Sequence, residues 1–408
     1  MNASTKIKEF IEKNPTANAT EVAKQFDSTK AYVNKLRGEL RKENKIPAFD
    51  PNTLRKPVET HTGLEAECEA VGIPINSVGN YWYKGKHYSI HARPDQISYF
   101  NAIQEVISEL PKRKAVPAKR SKDKPCKAVK ATLSDMHVGM EPNPEGRALF
   151  GYEYNQEIFN RNLDKVYTAI LKEHSLHGRF DVLVLDDLGD GLDGWNGLTT
   201  RGGHSLPQNM DNIAAFKAYV FGKLDLIERL LSADVANKIY VRNVSNCNHS
   251  GDFGYTANVS IQMIINRLYD KAQVEYYILE KFMEHFEYGD HCFILTHGKD
   301  NKYMRRGLPH VLSDGAIKFI SDYIEHYGIN SKYVHCEKGD LHQLGYQRTK
   351  RFDYRNFMSF APPSAYGQHN YGDGYGGFSV QVIPKHSGEI SHTDYFFEFT
   401  KTAKGDKK

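Results

Sequence analysis

The chain has 408 residues, of which 40% are hydrophobic and 25% charged, and its formal net charge is +4. That length suits two to three domains, and the composition is that of an ordinary globular protein. No run of about 18 apolar residues occurs, which excludes a helical membrane span. The opening residues, MNASTKIKEF, contain no apolar segment, so no secretory signal is expected. The five cysteines (Cys68, Cys126, Cys247, Cys292 and Cys336) are odd in number, widely spaced and free of CxxC. They argue against a disulfide scaffold or zinc ribbon and for a reducing cytoplasm.

The net charge hides an asymmetry. Residues 1–130 hold 24 Lys+Arg against 15 Asp+Glu, whereas residues 131–408 hold 30 against 35. The front is therefore basic and the back acidic. A basic front suits a polyanionic partner, although basic segments also simply aid solubility.

Residues 1–50 read as a helix-turn-helix-like module. Ile7, Phe10 and Ile11 lie at helical spacing before Asn14-Pro15 breaks the helix. A short second helix runs from Thr20 to Phe26. A third, capped by Asp27 or Ser28, reaches about Lys42 with Val33, Leu36 and Leu40 inward. Its other face offers Lys30, Tyr32, Asn34, Lys35, Arg37 and Arg41 to a phosphate backbone or to base edges. Residues 57–110 read as a small α/β module, with a hairpin around Lys84-Gly85-Lys86 and a helix from about Asp95 to Leu110. Residues 111–128 read as a flexible basic linker, since PKRKAVPAKRSKDKPCK carries eight Lys/Arg, one Asp and three prolines.

From residue 129 to about 404, apolar strands alternate with amphipathic helices, which indicates a layered α/β domain. Strands are expected at Lys130–Ser134, Asp181–Leu188, Lys238–Ser245, His291–Thr296 and Ser331–Glu337. Helices are expected near 156–175, 210–232, 255–269 and 312–328. Two late strands are expected at Phe378–Ile383 and His392–Thr400, after a Tyr/Gly-rich loop at 366–377.

Chemistry-bearing residues follow each of the first five strands. Asp135 and His137 follow the first, Asp190 and Asp193 the second, and Asn248 and His249 the third. His297 follows the fourth, and Asp340 and His342 the fifth. A sheet fixes the loops at its strand ends, so these groups converge. The mixed carboxylate, imidazole and amide set suits Mn²⁺, Fe or Zn²⁺ rather than Ca²⁺ or a thiolate site. One carboxylate can bridge two metal ions about 3.5–4 Å apart.

The ordered series DxH, GDxxD, NH, H and GxxH, each after a strand, resembles the calcineurin-like metallophosphoesterase superfamily. The resemblance spans about residues 130–345. With the front modules added, the layout also resembles phage-encoded DNA repair exonucleases of that superfamily. The resemblance implies a β-sandwich flanked by helices in four α/β/β/α layers. It implies two divalent metal ions, with Mn²⁺ favoured and Fe or Zn²⁺ as alternatives. Asp135, His137 and His342 would hold the first ion, Asp190 would bridge, and Asn248 and His297 would hold the second. His249 would face the scissile phosphate or protonate the leaving oxygen, and a metal-held hydroxide would attack phosphorus. The implied activity is that of a phosphodiesterase, with DNA as partner, no membrane and a homodimer as in many relatives. The implied compartment is the cytoplasm, the host's if the chain is phage-encoded.

Two positions depart from the family pattern. Asp340 stands where a histidine is usual, and would serve as a harder, more anionic ligand of the second metal. Ser250 stands where an acid usually orients the histidine, and Asp252 is the expected substitute. Arg201 and His204, in the loop after the second motif, are candidates to grip a phosphate. Lys299, Lys302, Arg305 and Arg306 form a basic cluster after His297. Asp193 is expected to support a ligand from behind. Two other functions remain open on sequence alone. One is a phosphoesterase of small molecules or phosphoproteins, and the other is a DNA-binding regulator with a degenerate phosphoesterase domain.

Overall fold

A computed structural model describes residues 3–14, 17, 19–43 and 45, the two strands within 81–92, and residues 106, 108, 113–116 and 125–399, apart from 147, 200, 301–306 and 373. The chain divides into two compact units, Met1–Pro94 and Asp95–Lys408.

In the first unit, three helices pack together: α1 (Ala3–Lys13), α2 (Ala19–Gln25) and α3 (Lys30–Lys42). Ile7, Ile11, Val22, Ala23, Val33, Leu36 and Leu40 form their core, as the helical spacing of apolar residues requires. The cap of α3 differs from expectation. Thr29, not Asp27 or Ser28, accepts the Tyr32 amide, because Asp27 sits in the left-handed turn at φ 46°. Lys30, Tyr32, Asn34 and Lys35 are exposed, but Arg37 turns its guanidinium onto the Ala17 carbonyl. Strands β1 (Tyr81–Lys84) and β2 (Ser89–Ala92) pair antiparallel. Most of the helix expected at 95–110 and of the basic linker lies outside the described residues.

The second unit is a two-sheet α/β sandwich with helices on both outer faces. The first sheet has the order β13-β12-β3-β4-β5-β6. Its members are β3 (Lys127–Leu133), β4 (Phe180–Asp187), β5 (Ala236–Val244), β6 (Val274–Leu279), β12 (Gly377–Pro384) and β13 (Ser391–Phe396). Strands β3 to β6 run parallel, linked by α4 (Gln156–His177), α5 (Asn212–Ser232) and α6 (Gly251–Leu268). The second sheet has the order β10-β11-β9-β8-β7. It comprises β7 (Glu284–Tyr288), β8 (His291–Thr296), β9 (Tyr333–Lys338), β10 (Gly345–Arg348) and β11 (Asp353–Asn356). Strands β8 and β9 are parallel.

Three apolar clusters account for the layers. Helices α4, α5 and α6 bury Phe159, Val166, Phe216, Leu224, Ile227 and Ile261 against the outer face of the first sheet. Ile320 and Ile324 of α7 (Asp314–His326) cover Ile294 and Cys336 of the second. Leu188, Val244, Leu279, Phe293, Leu295 and Phe357 lie between the sheets. The order is therefore α/β/β/α.

The sequence missed β6, β7, β10 and β11, whose charges and tyrosines mask their alternation. A short helix, α8 (Ala365–Tyr371), replaces part of the expected loop, since Ser364 caps it through the Gly367 amide. In the stretch read as linker, Arg113 pairs with Asp225 and Glu228 on α5. No helix among the described residues is long and apolar enough to cross a membrane.

Candidate metal centre

The site forms where the two sheets present their strand ends. Asp135 and His137 follow β3, Asp190 and Asp193 follow β4, and Asn248 and His249 follow β5. His297 follows β8, and Asp340 and His342 follow β9. The backbone there is unusual. Asp135, His137, Asp190, Asp340 and His342 all take positive φ, between 43° and 71°. Non-glycine residues seldom adopt that region, and such strain collects at functional sites. The turns are tied together: the Asp135 amide donates to the Gly189 carbonyl, and the His137 amide to the Asp190 carbonyl.

Three sets of donor atoms converge, each within 4.8 Å: Asp135, His137 and His342; His137, Asp190 and His249; and Asp135, Asp190 and His297. Two local arrangements fit a cation. In the first, His137 Nδ1 lies 3.0 Å from Asp193 Oδ1, so its proton faces that carboxylate and its Nε2 lone pair is free. That Nε2 lies 3.2 Å from His342 Nε2, which is 3.5 Å from Asp135 Oδ1. His342 Nδ1 is buried without a partner. In the second, His297 Nδ1 donates to the Leu188 carbonyl at 2.9 Å. Its Nε2 then meets Asp190 Oδ2 and Asn248 Oδ1, each at 3.0 Å. Such facing acceptors need a proton or a cation between them.

Charge makes the same case. Asp135, Asp190 and Asp193 are each at most 2% exposed, and the Asp340 side chain is 9% exposed. Burial would raise the Asp135 carboxyl, but nearby imidazoles, His342 foremost, hold it at about 2. Asp190 lies well below the carboxylate range because His297 and His249 outweigh its burial. Burial keeps His137 low, and the neighbouring His249 and His342 add to this. Burial would also lower His297, yet Asp190 lifts it to about 10. The residues present therefore fit divalent cations: anionic carboxylates beside imidazoles whose Nε2 atoms point inward, where an ion would replace the proton that His297 otherwise carries.

His249 is placed differently. Its Nδ1 donates to the Asp193 carbonyl at 3.0 Å, while its Nε2 lies 3.9 Å from Asp190 Oδ2. The side chain is 21% exposed, so it can meet a ligand. Burial opposes its protonation, but Asp190 and then Asp193 raise it to about 9. The expected orienting role of Asp252 is corrected here. Asp252 is exposed in the first turn of α6, and Asp193 holds His249 instead.

Asp340 sits at the rim of the second arrangement. Its Oδ1 is 3.9 Å from His297 Nε2 and 4.0 Å from Lys299 Nζ, and its amide donates to the Asp135 carboxylate. The structure does not bring every candidate in. Arg201 spends Nη1 on the Asp300 carbonyl at 2.5 Å, although its amide donates to the Asn248 carbonyl. His204 is exposed, and no described contact joins it to the donors. Lys302, Arg305 and Arg306 lie outside the described residues.

Sequence reasoning missed several supports. Ser134 and Ser359 hydrogen-bond the Asp135 side chain and carbonyl. Asp187 accepts the Gly189 amide at 3.0 Å, and its other oxygen takes Tyr219 and Lys223 of α5. The consecutive acids Asp186 and Asp187 in an apolar strand were the available signal.

No protein-family model matches the chain, and no curated protein matches it. Among solved structures, the chain is similar to an archaeal phosphodiesterase at 8% identity, covering 66% of this chain and 99% of that one, with a TM-score of 0.31. Vps29 of Entamoeba histolytica, complexed with zinc, aligns at 10% identity over 66% of this chain and 99% of its own, with a TM-score of 0.27. GAP50, the anchor in the inner membrane complex of Plasmodium, aligns at 12% identity over 68% and 90%, with a TM-score of 0.33. These are loose likenesses.

Proposed function

We propose that the chain is a dinuclear-metal phosphodiesterase that cleaves DNA. The observation that carries this reading is the convergence of three carboxylate–imidazole donor sets at the strand ends of both sheets. The order of donors along the chain supports a place among the calcineurin-like metallophosphoesterases. The exposed Lys30, Tyr32, Asn34 and Lys35 on α3, with the basic linker, support DNA as the partner.

Asp135, His137 and His342 would hold one ion. Asn248 and His297 would hold the other, with Asp190 between them and Asp340 at the rim. Bound divalent ions supply Lewis acidity toward the phosphoryl oxygens and a nucleophile at neutral pH. The chain's own residues do the rest. Asp193 fixes the His137 tautomer and aims His249 through its carbonyl. His249 keeps a proton on Nε2 below about pH 9, because Asp190 and Asp193 overcome its burial. It delivers that proton to the leaving oxygen as the ester bond breaks. Manganese fits the oxygen-rich donor set best.

The test is Mn²⁺-dependent hydrolysis of bis-(p-nitrophenyl) phosphate and of labelled single- and double-stranded DNA. Wild type is run beside Asp190→Asn and His249→Ala. DNA cleavage lost in both variants is expected. Hydrolysis of the small reporter alone would move the substrate to small phosphoesters. If both substrates stay intact, the proposal fails.

A further inference from the structure

The Tyr/Gly-rich stretch at 366–377 has no part in the donor sets, yet it borders them. Strand β12 runs antiparallel to β3, with Ser379 opposite Thr132, and β13 runs antiparallel to β12, with Phe396 opposite Gly377. The start of β12 and the end of β13 therefore lie at the end of the sheet where Asp135 and His137 emerge. Neighbouring strands are about 4.8 Å apart, so Phe396 stands about 10 Å to the side of β3. Direct contacts tie the stretch to the donors. The Gly377 amide donates to the Ser359 carbonyl, and Ser359 Oγ donates to the Asp135 carbonyl at 2.9 Å. A Cβ on Gly374 would lie 3.8 Å from the His342 carbonyl oxygen.

From 374 to 377 the sequence is Gly-Tyr-Gly-Gly, so Tyr375 carries the one side chain. The backbone that holds it is pressed onto β13. A Cβ at 376 would fall 2.3 Å from the Phe399 ring, and one at 377 would fall 2.0 Å from the Tyr395 carbonyl. The Phe397 amide also donates to the Gly376 carbonyl at 2.8 Å. On this fixed backbone the Tyr375 ring points into solvent and is 74% exposed. It meets Phe396, itself 51% exposed, with centroids 5.3 Å apart and planes at 66°. An edge-on contact of this kind leaves ring faces open.

Two rings held in water beside a phosphate-binding centre suit one partner. A nucleic acid whose phosphate lies among the donors carries its next base to the side of them. Bases inside a duplex are stacked on each other, whereas an unpaired base offers its face to an aromatic ring.

We infer that Tyr375 and Phe396 form a stacking platform for an unpaired base beside the scissile phosphate, which makes single-stranded DNA the preferred substrate. This rests on the function proposed above and names its substrate class. The platform touches a base and not the reacting atoms, so it sets KM and strand preference rather than kcat.

The test uses the full Mn²⁺-loaded chain and a labelled oligonucleotide, single-stranded or as a blunt duplex. Tyr375→Ala is expected to raise KM for the single strand about tenfold, with kcat within about twofold and duplex KM little moved. Tyr375→Trp should restore the single-strand KM. Met263→Ala, which removes a 64% exposed side chain on α6, should change neither constant. Equal losses on both substrates, a fall in kcat alone, or no rescue by tryptophan would overturn the inference. So would unchanged KM with a loss of self-association on sedimentation, which would assign the patch to a second copy of the chain. Photo-crosslinking of metal-free protein to an iodouridine-substituted single strand, mapped by mass spectrometry, gives a readout free of turnover. Adducts at Tyr375 or Phe396 are expected, and adducts confined to other residues would count against the platform. If wild type cleaves no DNA, the proposed function falls, and the crosslinks alone decide the platform.

Discussion

Two clusters of buried charge lie in the same sandwich and are built on opposite rules. Between the sheets, Arg242 grips Asp186 with two bonds of 2.6 Å, and Lys130 links Asp186 to Glu337 across the gap. Arg242 also stacks on Phe286, and Lys130 lies over Phe293. Every charge there faces its opposite. At the strand ends the pattern reverses. Carboxylates and imidazoles crowd together, the Asp193, His342 and Lys338 side chains keep unpaired atoms, and five backbones are held at positive φ. The first cluster serves stability and the register of the sheets. The second is kept unsatisfied so that a ligand can complete it.

This contrast can be broken by experiment. The largest stability effect is expected in the satisfied cluster. Arg242→Met leaves buried Asp186 with only Lys130 as its cation and should cost about 3 kcal/mol in urea unfolding. Asp190→Asn, in the unsatisfied cluster, should cost the metal-free protein less in the same assay, since only its attraction to His297 and His249 is lost. Equal losses would erase the distinction.

Next in size is the response to metal. Mn²⁺ at a hundred times its dissociation constant should stabilise wild type by about 2.7 kcal/mol. Asp135→Asn should lose most of that gain, as read by thermal unfolding with and without chelator. A wild type indifferent to Mn²⁺ would contradict the centre.

A pH effect follows from His249. Its folded pKa is raised to about 9, so the proton on its ring is present below that value and lost above it. In the metal-free protein His249 should therefore lose its proton near pH 9, which imidazole NMR titration checks, and that transition should be absent in His249→Gln. For Asp135 the sign is opposite. Its folded pKa is depressed to about 2, so its stabilisation is full above the ordinary carboxylate value near 3.8. That stabilisation is lost as pH falls from there toward 2, and acid unfolding of metal-free protein measures it.

The smallest effect is expected for Asp252→Ala. The residue is exposed and Asp193 holds His249, so turnover should change by less than about twofold. A large loss would return Asp252 to the site.

The sequence carried much of this site because each donor follows an apolar strand. Asp135, His137, Asp190, Asn248, His297, Asp340 and His342 could be placed at strand ends from pattern alone. Their spatial meeting needed the sandwich. The orienting acid was not legible, since the chain positions His249 through the main-chain carbonyl of Asp193, a group every residue has. Lys338 was hidden for a different reason. A lysine closing the strand YVHCEK reads as a solvent-facing end, yet the turn after His297 covers it. Strands β6, β7, β10 and β11 escaped because Tyr276, Tyr277, Glu284, Glu287 and Arg348 break the apolar alternation that marks a half-buried strand.

The donors are divided between the sheets. Asp135, His137, Asp190, Asn248 and His249 hang from the first, and His297, Asp340 and His342 from the second. Anything bound among them therefore acts as a clasp on the open edge of a book. With the clasp shut, amides at the ends of β8 and β9 should exchange with solvent as slowly as those in the middle of the sandwich. With it removed, that edge should breathe first, while the spine at Lys130 and Arg242 stays closed.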